Sequence, residues 1–187
     1  MDIQVIFDGI HQLPTGTFEK VLEYVTEIEY PKGTHLYKEH RRGERIFFIK
    51  QGLARAYTRK NGKEITFWFG KEGDILFPLQ TMQTGTTEYA SVELLEDSVI
   101  YAIDMAQMQS LFAADIHLCN WGRKYAEYAC ICAEKMFISR LFKSSQEKYE
   151  ELISEHPDII HRVPLGIVAS FLGMSQVNLS RIRAKIR

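Results

Sequence analysis

Cysteine is scarce in this 187-residue chain: there are three, Cys119, Cys130 and Cys132. An odd number at that spacing fits neither a disulfide framework nor a common zinc pattern, so reduced structural thiols are expected. The six histidines, His11, His35, His40, His117, His156 and His161, are scattered and form no ligand pair at helical spacing. Nothing points to a metal, a haem or any other cofactor. No apolar run approaches a membrane span, so no membrane partner is expected. Met1-Asp2-Ile3-Gln4 lacks the basic-then-apolar order of a signal peptide, which makes the cytoplasm the expected location. Asn178-Leu179-Ser180 matches a glycosylation acceptor that a cytoplasmic protein would not use. No nucleophile–base pair, metal constellation or phosphate-cradling loop stands at a recognisable spacing, so an enzyme is not expected. Acid is missing from the end of the chain: Asp158 is the last acidic side chain, and Arg162, Arg181, Arg183, Lys185 and Arg187 follow it. The formal net charge is −1, so positive charge is concentrated at one end. That asymmetry suggests a nucleic-acid partner.

The rest of the composition is ordinary. A hydrophobic fraction of 45% and a charged fraction of 25% are those of a folded, water-soluble chain. The length allows one mid-sized domain and a small one. The tail from Pro164 reads as two short helices joined by a tight turn. Leu165, Val168, Ala169 and Leu172 fall at helical spacing, after a proline that suits a first turn. Gly173 can end that helix and Ser175 can cap the next. Val177, Leu179, Ile182 and Ile186 supply an inner side to the second helix. Gln176, Asn178, Ser180, Arg181, Arg183, Lys185 and Arg187 remain for solvent or for DNA. A helix-turn-helix presents its second helix to the major groove in this way. Glutamine and asparagine can read adenine, arginine can read guanine, and the other polar groups can hold phosphates. An ordinary helical hairpin with a solvated basic face would show the same spacing.

Upstream the texture changes twice. Thr17 to Thr26 reads as a short helix with Phe18, Val21, Leu22 and Val25 on one side. From Glu27 to Asp104, aromatic and β-branched runs are punctuated by Gly33, Gly43, Gly52, Gly62, Gly70, Gly73 and Gly85, the pattern of a small all-β barrel or sandwich. Asn61-Gly62 marks a hairpin of Leu53–Arg59 with Lys63–Phe69. Phe47 and Ile49, then Ile65, Phe67 and Phe69, alternate like half-buried strands. Ser91–Ile103 makes the last strands, broken at Glu96-Asp97. From Met105 to about His156 helix is expected: one piece to Phe112, a long one from an Asp115 cap to Phe142, and another from Ser144 to Ser154. A turn over Glu155–Asp158 follows. Along the long helix Leu118, Trp121, Tyr125, Tyr128 and Cys132 recur three and four apart, as in a coiled-coil seam. Gly122, Ala126, Ala129 and Ala133 form a second stripe of small residues. One stripe is expected to pack on the β-domain, and two buried faces on one helix favour a partner chain.

In this order the chain resembles the Crp/Fnr family of bacterial transcription regulators. The resemblance rests on Pro31-Lys32-Gly33-Thr34, Ile49-Lys50-Gln51-Gly52-Leu53-Ala54-Arg55, Asn61-Gly62-Lys63-Glu64 and Lys71-Glu72-Gly73-Asp74-Ile75. It also rests on Arg162-Val163-Pro164-Leu165 and Leu179-Ser180-Arg181-Ile182-Arg183. It implies an α+β chain with three parts. Residues 1–114 would form a cyclic-nucleotide-binding-like, double-stranded β-roll sensor of jelly-roll type. Residues 115–142 would be the dimerisation helix. Residues 143–187 would form an all-α helix-turn-helix domain without the full β-hairpin wing of many relatives. The resemblance further implies a homodimer on near-palindromic double-stranded DNA, with recognition helices roughly 34–36 Å apart. A small-molecule effector would reposition the long helices.

Departures from the family pattern refine this expectation. Cyclic-nucleotide binders hold ribose and phosphate with a Gly-Glu pair and an Arg-Ser or Arg-Thr pair. Here Phe77-Pro78 and Glu88-Tyr89 stand in their places. A phosphate would lose its arginine and face a carboxylate, and two like charges near 4 Å repel by about 4 kcal/mol at an effective dielectric of 20. The usual mode of cyclic AMP or cyclic GMP binding is therefore not expected. The iron–sulfur members carry cysteines near the N-terminus, and this chain has none before Cys119. Gln176-Val177 replaces the pair that often opens the recognition helix, removing a base-reading carboxylate. The expected roles are base contact for Gln176, Asn178 and Arg181, and backbone contact for Ser175, Ser180, Arg183 and Lys185. Phe77, Pro78, Glu88 and Tyr89 would line or fill the effector pocket. The alternative is a small-molecule sensor that signals through protein contacts.

Overall fold

The computed structural model describes residues 1–186, and Arg187 lies outside the described residues. Two short helices come first. The α1 helix (Ile3–Ile10) starts where the Asp2 carboxylate accepts the Gln4 N–H at 2.8 Å, and Ile3, Ile6 and Phe7 turn inward at helical spacing. The α2 helix covers Thr15–Leu22, not 17–26, because Thr26 already opens β1 (Thr26–Tyr30) opposite Ala102. Strand pairing overrides helix propensity there.

The remaining strands are β2 (His35–Tyr37), β3 (Arg45–Gln51), β4 (Ala54–Lys60), β5 (Lys63–Gly70), β6 (Ile75–Leu76), β7 (Ser91–Leu94) and β8 (Ser98–Asp104). They form two four-stranded sheets, β1-β8-β3-β6 and β2-β7-β4-β5, the antiparallel sheets of a β-roll. The β4–β5 turn matches the sequence signal: Asn61 and Gly62 both have positive φ, 52° and 74°. A short helix, α3 (Leu79–Thr84), interrupts what reads as continuous β-texture. Burial corrects the expected alternation. In β3, Ile46 to Ile49 are all buried, because both faces are covered: Phe48 lies 5.2 Å from Phe7 and Phe47 lies 5.4 Å from Tyr37, ring to ring. In β5, Ile65 is exposed and Thr66 is buried, the reverse of the expectation.

The helices after the roll follow their caps. The α4 helix (Met105–Ala114) leads to Asp115, whose Oδ1 accepts the His117 and Leu118 N–H groups at 3.0 and 3.4 Å and starts α5 (Ile116–Phe142). Ser144 and Glu147 form a reciprocal capping box at the head of α6 (Ser145–Glu155). The four-residue α7 (Ile159–Arg162) follows the expected turn, and then come α8 (Leu165–Phe171) and α9 (Gln176–Ile186).

Packing divides the chain into two units, residues 1–56 with 69–130 and residues 57–68 with 131–187. In the first, Trp121 is fully buried, stacks on Phe7 at 4.4 Å and donates its indole N–H to the Phe7 carbonyl at 2.9 Å. In the second, the hairpin tip lies against α8: Ser170 Oγ accepts the Thr66 N–H and donates to the Glu64 carbonyl, both at 3.0 Å. Two outer backbone groups of β5, an edge strand, are satisfied in this way.

The seam expected on α5 is corrected. Leu118 and Trp121 lie in the first unit's own core, and Tyr125 donates its hydroxyl to the Ile75 carbonyl at 2.7 Å, leaving Tyr128 and Cys132 at the surface. Phe112 of α4 covers Gly122 of the small-residue stripe. The exposed apolar positions come later: Tyr128, Ile131, Phe137, Ile138, Leu141 and Phe142. All three cysteines are free and exposed, so they do not pack as core thiols.

Asp115 also ties α5 to α2, accepting from Thr17 Oγ1 at 3.0 Å and Lys20 Nζ at 3.5 Å. Burial works to raise its pKa, but the hydrogen bonds from Thr17, Leu118, His117 and Lys20 outweigh burial and hold it below the ordinary value. A lowered folded-state pKa contributes stability above the unfolded pKa, near 4, and loses it as pH falls through the folded value. Asp115→Ala should cost about 1 kcal/mol by urea denaturation at neutral pH. The difference between variant and wild type should shrink below about pH 4.

Candidate nucleic-acid interface

The α8–α9 pair is built on local rules. Gly173 takes φ +68° just past α8, and the next N–H, of Met174, returns to the Ala169 carbonyl at 3.0 Å. Ser175 Oγ accepts the Asn178 N–H at 3.2 Å and caps α9. Val168, Ala169, Leu172, Leu179 and Ile182 are buried, as are Tyr149, Leu152, Ile159 and Val163 from the preceding helices. This small core holds α9 by one side only.

The opposite side of α9 carries a shallow hollow lined by Gln176, Val177, Ser180, Arg181 and Ala184. Of the residues expected to meet DNA, Gln176, Ser180 and Arg181 are brought together there. Lys185 is exposed beyond one edge, and Ser175 is exposed at the cap. Asn178 and Arg183 are half-buried on opposite flanks, about 110° from the centre of the face at 100° per residue. The Asn178 amide nitrogen lies 4.0 Å from Met174 Sδ, turned towards the helix-pair turn. Val177 and Ile186, expected inside, are 61% and 38% exposed. Leu179 and Ile182 alone fill the width of the small core, so Val177 falls on the open face. Counting at helical period from Ser180 and Arg181 finds Val177 and Ala184 on that face, whereas sorting by polarity hid them. No acidic side chain follows Asp158, and Asp158 itself is paired with Arg162 at 2.8 Å.

The expected pocket residues divide. Phe77 packs its ring 4.9 Å from that of Tyr125, and Pro78 is buried. Gly43 makes room for Pro78: a Cβ on it would stand 2.3 Å from Pro78 Cβ. Glu88 is 7% exposed, and its Oε1 accepts the Thr81 N–H at 2.9 Å and the Thr81 hydroxyl at 2.8 Å. Thr81 Oγ1 in turn accepts the Gly43 N–H at 3.0 Å. Burial, and then the charge of Glu88, hold the Tyr37 phenol well above its ordinary pKa, and its hydroxyl stays a donor, within 2.7 Å of the Arg45 carbonyl and 2.9 Å of that of Leu76. Tyr89, in a bend just before β7, is 59% exposed, between the buried Glu88 and Ala90.

Residues 27–115 match the family model of the cyclic nucleotide-binding domain. FixK2 from Bradyrhizobium japonicum is similar in structure, with a TM-score of 0.73 and 18% identity over 87% of this chain and 84% of that one. The fold is that of the Crp/Fnr-type regulators. CLP from Xanthomonas campestris, a c-di-GMP-responsive global regulator, aligns with a TM-score of 0.65 and 13% identity over 92% of this chain and 91% of its own. A protein from Eubacterium rectale described as a transcriptional regulator of the Crp/Fnr family aligns with a TM-score of 0.71 and 15% identity, covering 91% and 82%. No curated protein sequence matches the chain. Among the described residues no helix is long and apolar enough to cross a membrane.

Glu88→Ala should leave the buried Thr81 N–H and hydroxyl without their acceptor. The expected loss is about 2 kcal/mol of stability, measured by urea denaturation with far-UV circular dichroism to check the fold.

Proposed function

We propose that the chain is a homodimeric, DNA-binding transcription regulator of the Crp/Fnr type, not an enzyme, with a helix-turn-helix formed by α8 and α9. The observation that carries this reading is the open face of α9, which presents Gln176, Ser180 and Arg181 beside Lys185 with no carboxylate after Asp158. Arg181 and Gln176 approach base edges, while Ser175, Ser180, Arg183 and Lys185 hold the backbone. Asn178 serves at the edge of the contact rather than at its centre. The apolar line of Tyr128, Ile131, Ile138 and Phe142 on α5, with three- and four-residue steps completed by Lys135, supports a symmetric pair of long helices. A two-fold pair would deliver α9 twice to a near-palindromic site.

The β-roll of this regulator has lost the usual cyclic-nucleotide chemistry. Glu88 supports that reading: it occupies the Thr81 N–H with an internal carboxylate, and no arginine stands beside it in sequence. Its effector, if small, is of another chemical class than the cyclic monophosphates.

Binding sites selected from random duplex DNA by the full chain should be near-palindromic. Affinity by gel shift should fall steeply with salt as phosphate counterions are released, and the complex should contain two copies. Arg181→Ala should cost about 1–3 kcal/mol and relax preference at one position per half-site; a loss equal for all sequences would reassign Arg181 to phosphate. Isothermal titration with cyclic AMP or cyclic GMP should show no stoichiometric low-micromolar binding.

A further inference from the structure

The centre of the open α9 face is not polar. At 100° per residue, Val177 and Ala184 lie within about 10° of its midline, with Ser180 and Arg181 about 50° to either side. All four line the same hollow. Val177 is the second residue of α9, and its side chain is 61% exposed. The N-terminal turn of a recognition helix is the part that meets base edges. A valine there can neither donate nor accept a hydrogen bond. The one apolar group that the major groove displays is the C5-methyl of thymine. The flanking Arg181 supplies charge complementary to the duplex, and no acid on α9 opposes it.

We infer that Val177, backed by Ala184, is a specificity-determining contact for a thymine methyl group, one per half-site, set between the positions faced by Ser180 and Arg181. The inference rests on the DNA-binding reading and deepens it. Arg181 and Gln176 discriminate by hydrogen bonding, whereas Val177 discriminates by fitting a methyl group and excluding water from it. A position read in this way prefers thymine over cytosine, which offers an amino donor and no methyl there, and over either purine. The bland alternative is a singly exposed valine of no consequence, as proteins commonly carry. The two differ in a measurable way.

The test uses the full chain and the best site selected from random duplex DNA. Each thymine in one half-site is replaced in turn by uracil, which keeps the hydrogen-bonding edge and deletes only the methyl. At one position affinity should fall about fourfold, the value of one buried methyl-sized group. Val177→Ala should bind the thymine and uracil duplexes within about 1.5-fold of each other at that position, against the fourfold expected of wild type. Val177→Thr, which keeps the branched shape and one methyl, should retain most of the discrimination. Selective binding with equal tolerance of uracil everywhere, or a penalty that persists in Val177→Ala, would overturn the inference and leave the regulator reading standing. If no duplex is bound at any salt concentration, the regulator reading itself fails, and the hollow belongs to a protein partner.

Discussion

Trp121 is the point on which the first unit turns. Its indole is stacked on Phe7, which is stacked on Phe48, so α1, β3 and α5 share one aromatic column. The indole N–H ends on the Phe7 carbonyl, which ties the ring in rotation as well as in depth. This contact commits the first two turns of α5 to the chain's own core. From Tyr128 onward the same helix carries large apolar side chains that are about half or more exposed, Phe142 the most, at 80%. A 27-residue helix is about 40 Å long, so a long apolar stretch lies beyond the anchored turns. The division between inward and outward use falls between Tyr125 and Tyr128, and the proposed two-fold pairing depends on it.

The region around Glu88 is held together by polar groups rather than by apolar packing alone. The carboxylate, the Thr81 hydroxyl and the Gly43 N–H form a chain of hydrogen bonds, each donor satisfied, beside the buried Tyr37. Buried polar chains of this kind stabilise when complete and destabilise when one member is lost. Pro78 can sit against the loop at Gly43 only because residue 43 has no side chain. An α3 of six residues has little stability of its own; its N–H at Thr81 is held by a side chain that arrives from seven residues later.

The second unit is economical. A few buried side chains, Leu179 and Ile182 from α9 among them, hold the last helix by one narrow side. The rest of α9 is therefore left open, and packing within the unit does not dictate its composition. Val177 belongs to that face, and its side chain packs on nothing that fixes its identity as strongly as the small core fixes Leu179 and Ile182.

Much of the architecture was legible in the sequence because the signals are local. Asn61-Gly62 sets its turn by two adjacent positive φ angles, and the Asp115 cap, the Ser144 capping box and the Gly173–Ser175 turn each satisfy backbone groups within two to five residues. Their chemistry is complete in a short window, and so were the hairpin, the starts of α5 and α6, and the α8–α9 turn. The misplacements share a different cause. The end of α2, the double-sided burial of β3, the reversal at Ile65 and Thr66, the inward use of Leu118 and Trp121 and the exposure of Val177 depend on which element lies opposite. Periodicity identifies a helix or strand face, but only a neighbour distant in the chain decides whether that face is buried. By itself, then, the sequence determined the order of the main elements, though not α1, α3 or α7, and several caps and turns and the acid-free basic end. The tertiary structure decided which apolar side chains of α5 stay exposed, that Glu88 is buried against Thr81, and that a valine stands at the centre of α9's open face, because burial is a property of pairs of surfaces and not of residues one at a time.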